Sequence, residues 1–300
     1  MKNFALIGVG GYIAPRHLQA IKATGNNLIA ALDKHDSVGI LDSYFPEADF
    51  FTEFERFDRH LEKLKRLGTK IDFVTVCSPN YLHDAHIRFG LRIGADVICE
   101  KPIVLNPWNV DALAEIEKET SRKVFTILQL RLHPSVIALK KRITQTSAGN
   151  KFNVNLSYIT ARGSWYHNSW KGDIKKSGGL ATNIGVHFFD MLILIFGDVK
   201  NNHVIQHTPT VASGILEFEN ATVNWLLSID AKRLPDEVIR QNKRTYRKLE
   251  IDGEIFEFTD GFTELHIEAY KEIICGNGFT LSETQKSIEL VHQIRTQEIK

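Results

Sequence analysis

The chain has only three cysteines in 300 residues, no excess of either charge and no long apolar run at its start. Cys77, Cys99 and Cys275 are odd in number, and the first two lie inside apolar runs. That pattern fits free thiols in a reducing compartment, so a disulfide framework is not expected and the cytoplasm is. With 37 basic against 36 acidic residues, the net charge is +1. No broad positive surface is available to neutralise a nucleic-acid backbone, and nucleic acid is not an expected partner. The apolar stretch after Met1 and Lys2 reaches Gly8 within a few residues, too short for a signal sequence or a membrane span, so no membrane partner is expected either. Repeats and low-complexity linkers are also lacking. What is present is 43% hydrophobic content, enough for one large core or two ordinary ones, and chains beyond about 250 residues tend to divide.

The apolar pattern changes once along the chain. Short runs at Phe4–Ile7, Leu28–Leu32, Ile71–Val76, Asp96–Cys99 and Val124–Leu128 alternate with helical stretches at about Ala14–Ala23, Phe57–Leu67, Tyr81–Ile93 and Pro107–Glu119. This alternation predicts a parallel, doubly wound α/β sheet with crossover helices. From about residue 150, strands follow one another at Phe152–Thr160, His203–Thr208, Ala212–Phe218, Thr222–Ile229 and Tyr246–Phe258, which predicts an α+β domain on a large, mostly antiparallel sheet. Helices are expected at Asn183–Ile195, Leu265–Cys275 and Ser282–Ile299. The expected division is residues 1–122, a dinucleotide-binding Rossmann domain, and 123–300, a substrate-binding and oligomerisation domain.

Two constellations carry chemistry. Gly8-Val-Gly10-Gly11-Tyr12-Ile13-Ala14 follows the first strand and opens the first helix, where exposed backbone N–H groups and the helix dipole bind phosphate. The spacing reads best as Gly8-x-x-Gly11-x-x-Ala14. Asp33 ends the second strand, where a carboxylate accepts from the adenosine ribose hydroxyls and repels a 2′-phosphate, so NAD is expected over NADP. Ser78 and Lys101, in Glu100-Lys101-Pro102, follow buried parallel strands, at the sheet edge where ligands collect in such folds. His83 and His86 stand three apart, but no third ligand accompanies them and no metal is expected. Asn183 and His187 come from one helix start. Between 162 and 176, Arg162, Trp165, Tyr166, Trp170, Lys171, Lys175 and Lys176 form a basic and aromatic cluster suited to a diphosphate, a carboxylate and a planar base. For Lys175 and Lys176 a solvated loop is the plainer reading. Arg131, ending the strand into the second domain, is the stronger candidate for the substrate site.

These residues resemble the glucose-fructose oxidoreductase, inositol dehydrogenase and MocA (Gfo/Idh/MocA) family, through the first glycines, Ser78-Pro79, Glu100-Lys101-Pro102 and the segment from Gly178 to Asp190. Tyr12 to His17, Cys77 to His83, Gln129 to Arg131, Arg162 to Tyr166, Ser169 to Gly172 and Gly261 to His266 are similar to its WlbA/WbpB branch. The resemblance implies NAD, with contacts at Gly8, Gly11, Tyr12, Ile13, Asp33, Ser78, Asn80, His83, Glu100, Lys101 and Gln129. It also implies a UDP-sugar uronate as substrate, oxidised at its 3-hydroxyl for surface polysaccharide, and subunit contacts through the C-terminal sheet in a dimer or tetramer. Lys101, Arg131, Arg162, Trp165, Tyr166, Lys171, Asn183 and His187 are then the substrate residues. Many relatives carry Asp at the position of Asn183, and an amide cannot act as a base, so proton removal falls to His187 or Lys101. A free histidine titrates near 6.5 and suits proton acceptance, while a lysine near 10.4 suits holding an alkoxide; a desolvated lysine reverses the roles. The rival readings are a dehydrogenase of an inositol or free sugar, and a sensor that holds NAD without turnover.

Overall fold

The computed structural model describes residues 1–146, 150–256 and 264–299. Two compact units divide the chain. One comprises Met1–Gln129 and the later stretch that ends at Thr284; the other begins at Leu130 and includes Gln285 onward.

The first unit runs β1 (Asn3–Ile7), α1 (Ala14–Ala23), β2 (Asn27–Leu32), α2 (Ile40–Tyr44), β3 (Asp49–Phe51), α3 (Phe54–Arg66), β4 (Phe73–Val76), α4 (His83–Arg92), β5 (Asp96–Cys99), α5 (Pro107–Thr120) and β6 (Val124–Thr126). All six strands are parallel, in the order β3-β2-β1-β4-β5-β6. β4 is buried at every position, as expected of an apolar strand covered on both faces. α3 shows the other pattern: Phe57 and Leu61, one turn apart, are its buried residues, and charged side chains fill much of the rest. The boundary expected at 122/123 falls instead after Gln129, because β6 pairs in register with β5 and cannot leave the first sheet. Neither α2 nor β3 was expected; both are too short for a periodic signal.

The second unit runs α6 (Pro134–Thr146), β7 (Phe152–Thr160), α7 (Ser164–Asn168), α8 (Ile174–Ser177), a π-helical turn (Ala181–Gly185), α9 (Val186–Phe196), β8 (Val199–His207), β9 (Val211–Phe218), β10 (Ala221–Ser228), α10 (Asp236–Arg240), β11 (Thr245–Ile251) and β12 (Glu254–Phe256). After these, α11 (Leu265–Ile274) belongs to the first unit, and α12 (Leu281–Thr296) begins there and continues into the second. The second sheet has the order β12-β11-β7-β10-β9-β8 and is antiparallel except that β7 and β10 run parallel. The single strand expected at Tyr246–Phe258 is two strands joined at Asp252 and Gly253; residues 257 and 258, like residues 261–263 of the Gly261–His266 motif, lie outside the described residues. Along β7, Phe152, Val154 and Leu156 are buried while Asn153 and Asn155 are exposed, so one face of the sheet takes α9. There Phe189 meets the edge of Trp225 at 5.1 Å and Phe196 contacts Phe152 and Phe218. Full burial of Phe189 contributes about 2 kcal/mol. The stretch Ile174–Phe196 has the length and apolarity of a membrane span, yet two-thirds of its most apolar window is buried within the fold.

Candidate active site

The first unit gathers its expected residues at the carboxyl ends of its strands. Gly8 adopts φ +92°, and a Cβ there would lie 2.7 Å from the Cys77 carbonyl and the Ser78 nitrogen, so only glycine lets the turn rest on the end of β4. Gly11 N–H donates to the Gly8 carbonyl at 3.0 Å and Ala14 N–H to that of Gly11 at 3.1 Å. This is the expected glycine register. The Asp33 carboxylate accepts from Gly10 N–H at 2.9 Å and from His35 N–H at 3.0 Å, which ties the end of β2 to the glycine turn. Tyr12 is 94% exposed, and Ile13 is half-buried. A helix N-terminus, a side-chain-free turn and a fixed carboxylate fit the diphosphate and ribose of NAD.

Ser78 and His83 follow β4. His83 is 1% exposed, and its ring nitrogens face the Pro102 carbonyl at 2.7 Å and the Ser78 carbonyl at 2.8 Å. It straps the loops after β4 and β5 together. Burial lowers its pKa, and the two carbonyls and the Glu100 charge work against that. The Ser78 hydroxyl meets His86 Nδ1 at 2.8 Å, and the His86 ring stacks on Phe54. Burial, with the neighbouring His83, takes the His86 pKa down to about 4. His83 and His86 therefore hold separate partners. Asn80 is buried in a short 3-10 turn, and Gln129 is half-buried.

Glu100 also departs from its expected role. It is 6% exposed, and one carboxylate oxygen accepts from His17 Nε2 at 2.9 Å and His266 Nε2 at 3.1 Å, while the other accepts from Lys101 N–H at 3.2 Å. Both oxygens thus have partners within the protein. Burial works to raise its pKa, and the two histidines overcome this and hold the carboxyl well below the usual carboxylate range. His17 and His266 entered the sequence reading only as the ends of two motifs of the resemblance, with no role given, and Tyr270 not at all; the available signal was a lone polar residue on the otherwise apolar face of α1, at His17. The Lys101 side chain is half-buried, and burial lowers its ammonium from the ordinary lysine value while Glu100 draws it back up.

In the second unit the π-helical turn leads directly into α9. Asn183 sits in that turn and His187 in the first turn of α9, both half-buried. The Asn183 amide donates to the Tyr166 hydroxyl at 3.0 Å, joining the π turn to α7. Burial raises the Tyr166 pKa; the Asn183 bond and the Arg162 charge lower it. Arg162 is exposed and Trp165 is 53% exposed. The Lys171 ammonium lies 4.3 Å from the Trp170 ring centroid. Lys175 and Lys176 are exposed, in agreement with the solvated reading. Arg131 requires a correction. Its guanidinium donates to both oxygens of Asp190 at 2.8 and 2.7 Å, with the side chains 10% and 2% exposed, so it anchors α9.

Comparison with known proteins places this arrangement in a family. Residues 2–128 match the oxidoreductase family's NAD-binding Rossmann fold, and residues 140–233 match its C-terminal alpha/beta domain. The WlbA (WbpB) dehydrogenase from Thermus thermophilus, solved in complex with NAD and alpha-ketoglutarate, is 50% identical, with a TM-score of 0.96 over 100% of this chain and 96% of that one. The same enzyme in complex with NAD and UDP-GlcNAcA matches with 49% identity and a TM-score of 0.96 over the same shares of the two chains. Among curated relatives, the inositol 2-dehydrogenase of Rhizobium meliloti is 31% identical over 129 residues, covering 43% of this chain and 37% of its own length. The putative oxidoreductase YteT of Bacillus subtilis is 29% identical over 150 residues, 49% of this chain and 34% of its own. The chain thus spans little more than a third of the length of these two curated relatives. With both halves of the family matched in order, and a relative of known structure aligned along its whole length, the chain belongs to the Gfo/Idh/MocA oxidoreductases.

Proposed function

We propose that this protein is an NAD-dependent dehydrogenase that oxidises the 3-hydroxyl of UDP-N-acetylglucosaminuronic acid to the 3-keto sugar nucleotide. The observation that carries this reading is 49% identity along the whole chain to a dehydrogenase solved with NAD and UDP-GlcNAcA. Bound NAD accepts the hydride from carbon 3. His187 takes the hydroxyl proton as general base, and the Lys101 ammonium holds the developing negative charge on the oxygen. Asn183, tied to Tyr166, orients the sugar, and Arg162, Trp165 and Lys171 supply cationic and aromatic groups for the uronate and nucleotide. Arg131, engaged with Asp190, is withdrawn from that set.

The complex of the Thermus thermophilus relative with NAD and alpha-ketoglutarate favours one addition. A 2-oxo acid takes the hydride back from NADH, with a proton, to become the 2-hydroxy acid. The setting proposed is the cytoplasm of a cell making surface polysaccharide with diacetamido uronic acid sugars, in a dimer or tetramer formed through the second sheet. Near-ultraviolet absorbance of NADH with UDP-GlcNAcA, and formation of 2-hydroxyglutarate when 2-oxoglutarate is added, test both halves. Tight binding of an inositol or free sugar together with indifference to UDP-sugars, read as melting-temperature shifts, sinks this substrate in favour of the rival dehydrogenase. Absence of turnover on every substrate leaves a sensor.

A further inference from the structure

One group in the first unit is not used by this mechanism. His17 of α1, His266 and Tyr270 of α11, and Thr75 of β4 surround Glu100 with almost no exposure. Tyr270 Oη is 2.8 Å from His17 Nδ1 and 3.0 Å from Thr75 Oγ1. The bonds have one consistent direction. The ionised Glu100 has no proton to give, so both histidines donate through Nε2–H. His17 Nδ1 must then accept, Tyr270 O–H donates to it, and Thr75 O–H donates to Tyr270. The Nε2–H groups of His17 and His266 thereby aim at one buried negative charge, and that of His17 is fixed from its far side by Tyr270.

The ligand atoms of His17, Glu100 and His266 lie within 4.8 Å of one another, near enough for a cation. A closed structural metal site takes four donors, whereas here three groups meet through hydrogen bonds, and the outer nitrogen of His17 continues the chain into Tyr270. The geometry is that of donors on a carboxylate.

We propose that His17 and His266 are positioning residues of the dehydrogenase reaction: by donating to Glu100 they keep a fixed negative charge next to Lys101, so that its amine stays a cation at the reacting oxygen. This rests on the reading of Lys101 given above. Glu100 binds the Lys101 backbone N–H and so also sets the direction in which that residue leaves β5. The other titratable groups around Glu100 are Cys77 after β4, Cys99 of β5 and His83 of α4. Burial, with the Glu100 charge, pushes both thiols well above the usual thiol value, and burial lowers His83. The two thiols therefore stay neutral beside the carboxylate, and His83 turns both ring nitrogens to the Pro102 and Ser78 carbonyls.

The test reads Lys101 without turnover. Reductive carbon-13 methylation of the lysines, with the Lys101 resonance identified by its loss in Lys101→Met, gives its titration midpoint. Glu100→Gln keeps the shape and removes the charge, and it should lower that midpoint by at least about one pH unit, as expected for the loss of a close opposite charge. The double variant His17→Phe/His266→Phe should move it in the same direction. The alkaline limb of the kcat profile should follow both. An unchanged midpoint in folded, NAD-binding Glu100→Gln protein overturns the proposal. Should the variants not fold, the wild type decides: a Glu100 carboxyl carbon that titrates as protonated at neutral pH overturns it, and one ionised there supports it. A midpoint that moves while the kcat profile does not overturns instead the assignment of Lys101 to the chemistry.

Discussion

At Asp33 a single carboxylate does two things. It is held by Gly10 N–H and His35 N–H, and in the function proposed above it would meet the ribose diol of NAD with acceptors and the 2′-phosphate of NADP with like charge. Dissociation constants should favour NAD by at least about tenfold, since a poorly satisfied charge costs more than the 1.4 kcal/mol that a factor of ten represents. Asp33→Ala should narrow the gap mainly by weakening NAD, because the glycine turn loses its anchor too. Equal binding of the two cofactors by the wild type would remove Asp33 from this role. Lys101→Met should leave NAD affinity intact and lower turnover by about 100-fold or more, as expected when a preorganised charge at a developing oxyanion is lost. His187→Asn should lower kcat by about 100- to 10,000-fold, as expected for the loss of a general base. A defect in KM with kcat unchanged would make His187 a binding residue only. Lys101 and Asp33 were legible in the sequence because each follows a recognisable strand. The inward turn of Glu100 was not, since its partners come from α1 and α11, far apart along the chain.

Among the elements, α9 holds the largest correction. Its sequence shows an apolar helix with one acidic residue, Asp190, and nothing local reveals that the partner is Arg131, 59 positions away. Removing one member of such a buried pair leaves an uncompensated charge and costs about 3–5 kcal/mol. Arg131→Met should therefore lower the stability measured in urea by that order, and replacing Asp190 with Leu in the same protein should recover part of it. A variant of full stability with a raised KM would return Arg131 to the substrate. The start of the same helix has a local cause. Gly178 and Gly179 take φ of +80° and +75°, and a Cβ at Gly178 would come within 2.6 Å of Thr182. The chain can therefore turn sharply before the π-helical segment that carries Asn183.

For the molecule as a whole, the buried histidines set the response to acid. His17, His83 and His86 have pKa values lowered chiefly by burial, the last to about 4. His17 and His86 are neutral when folded and gain a proton when unfolded, so the unfolded state binds more protons and stability falls as pH drops below about 6.5. His86 alone should contribute a loss of roughly 2 kcal/mol between pH 7 and 5. Glu100 acts lower down: its depressed folded pKa stabilises the protein above the ordinary glutamate value, and that contribution is lost as pH falls towards the folded pKa. Urea unfolding at the two pH values checks the sign. His86→Phe, which keeps a ring against Phe54, should flatten the dependence, and an unaltered slope would show that His86 is already protonated in the native state.

The amino-acid sequence alone determined the alternation of strands and helices, the glycine turn from Gly8 to Ala14, the carboxylate at the end of the second strand and the resemblance to its family. All of these are local patterns, set by side-chain period and by the few residues a tight turn accepts. Tertiary structure decided what those patterns leave open. β7 pairs with β10 in parallel, β6 stays with the first sheet, and α11 returns to pack beside α1 after more than a hundred residues spent in the second unit. Whether a buried polar side chain faces ligand or protein follows from such returns, because its hydrogen-bond partners must come from whichever segment covers it. His83, Glu100 and Arg131 each carry the chemistry of a binding residue, and each has a protein partner that folding alone brings within reach.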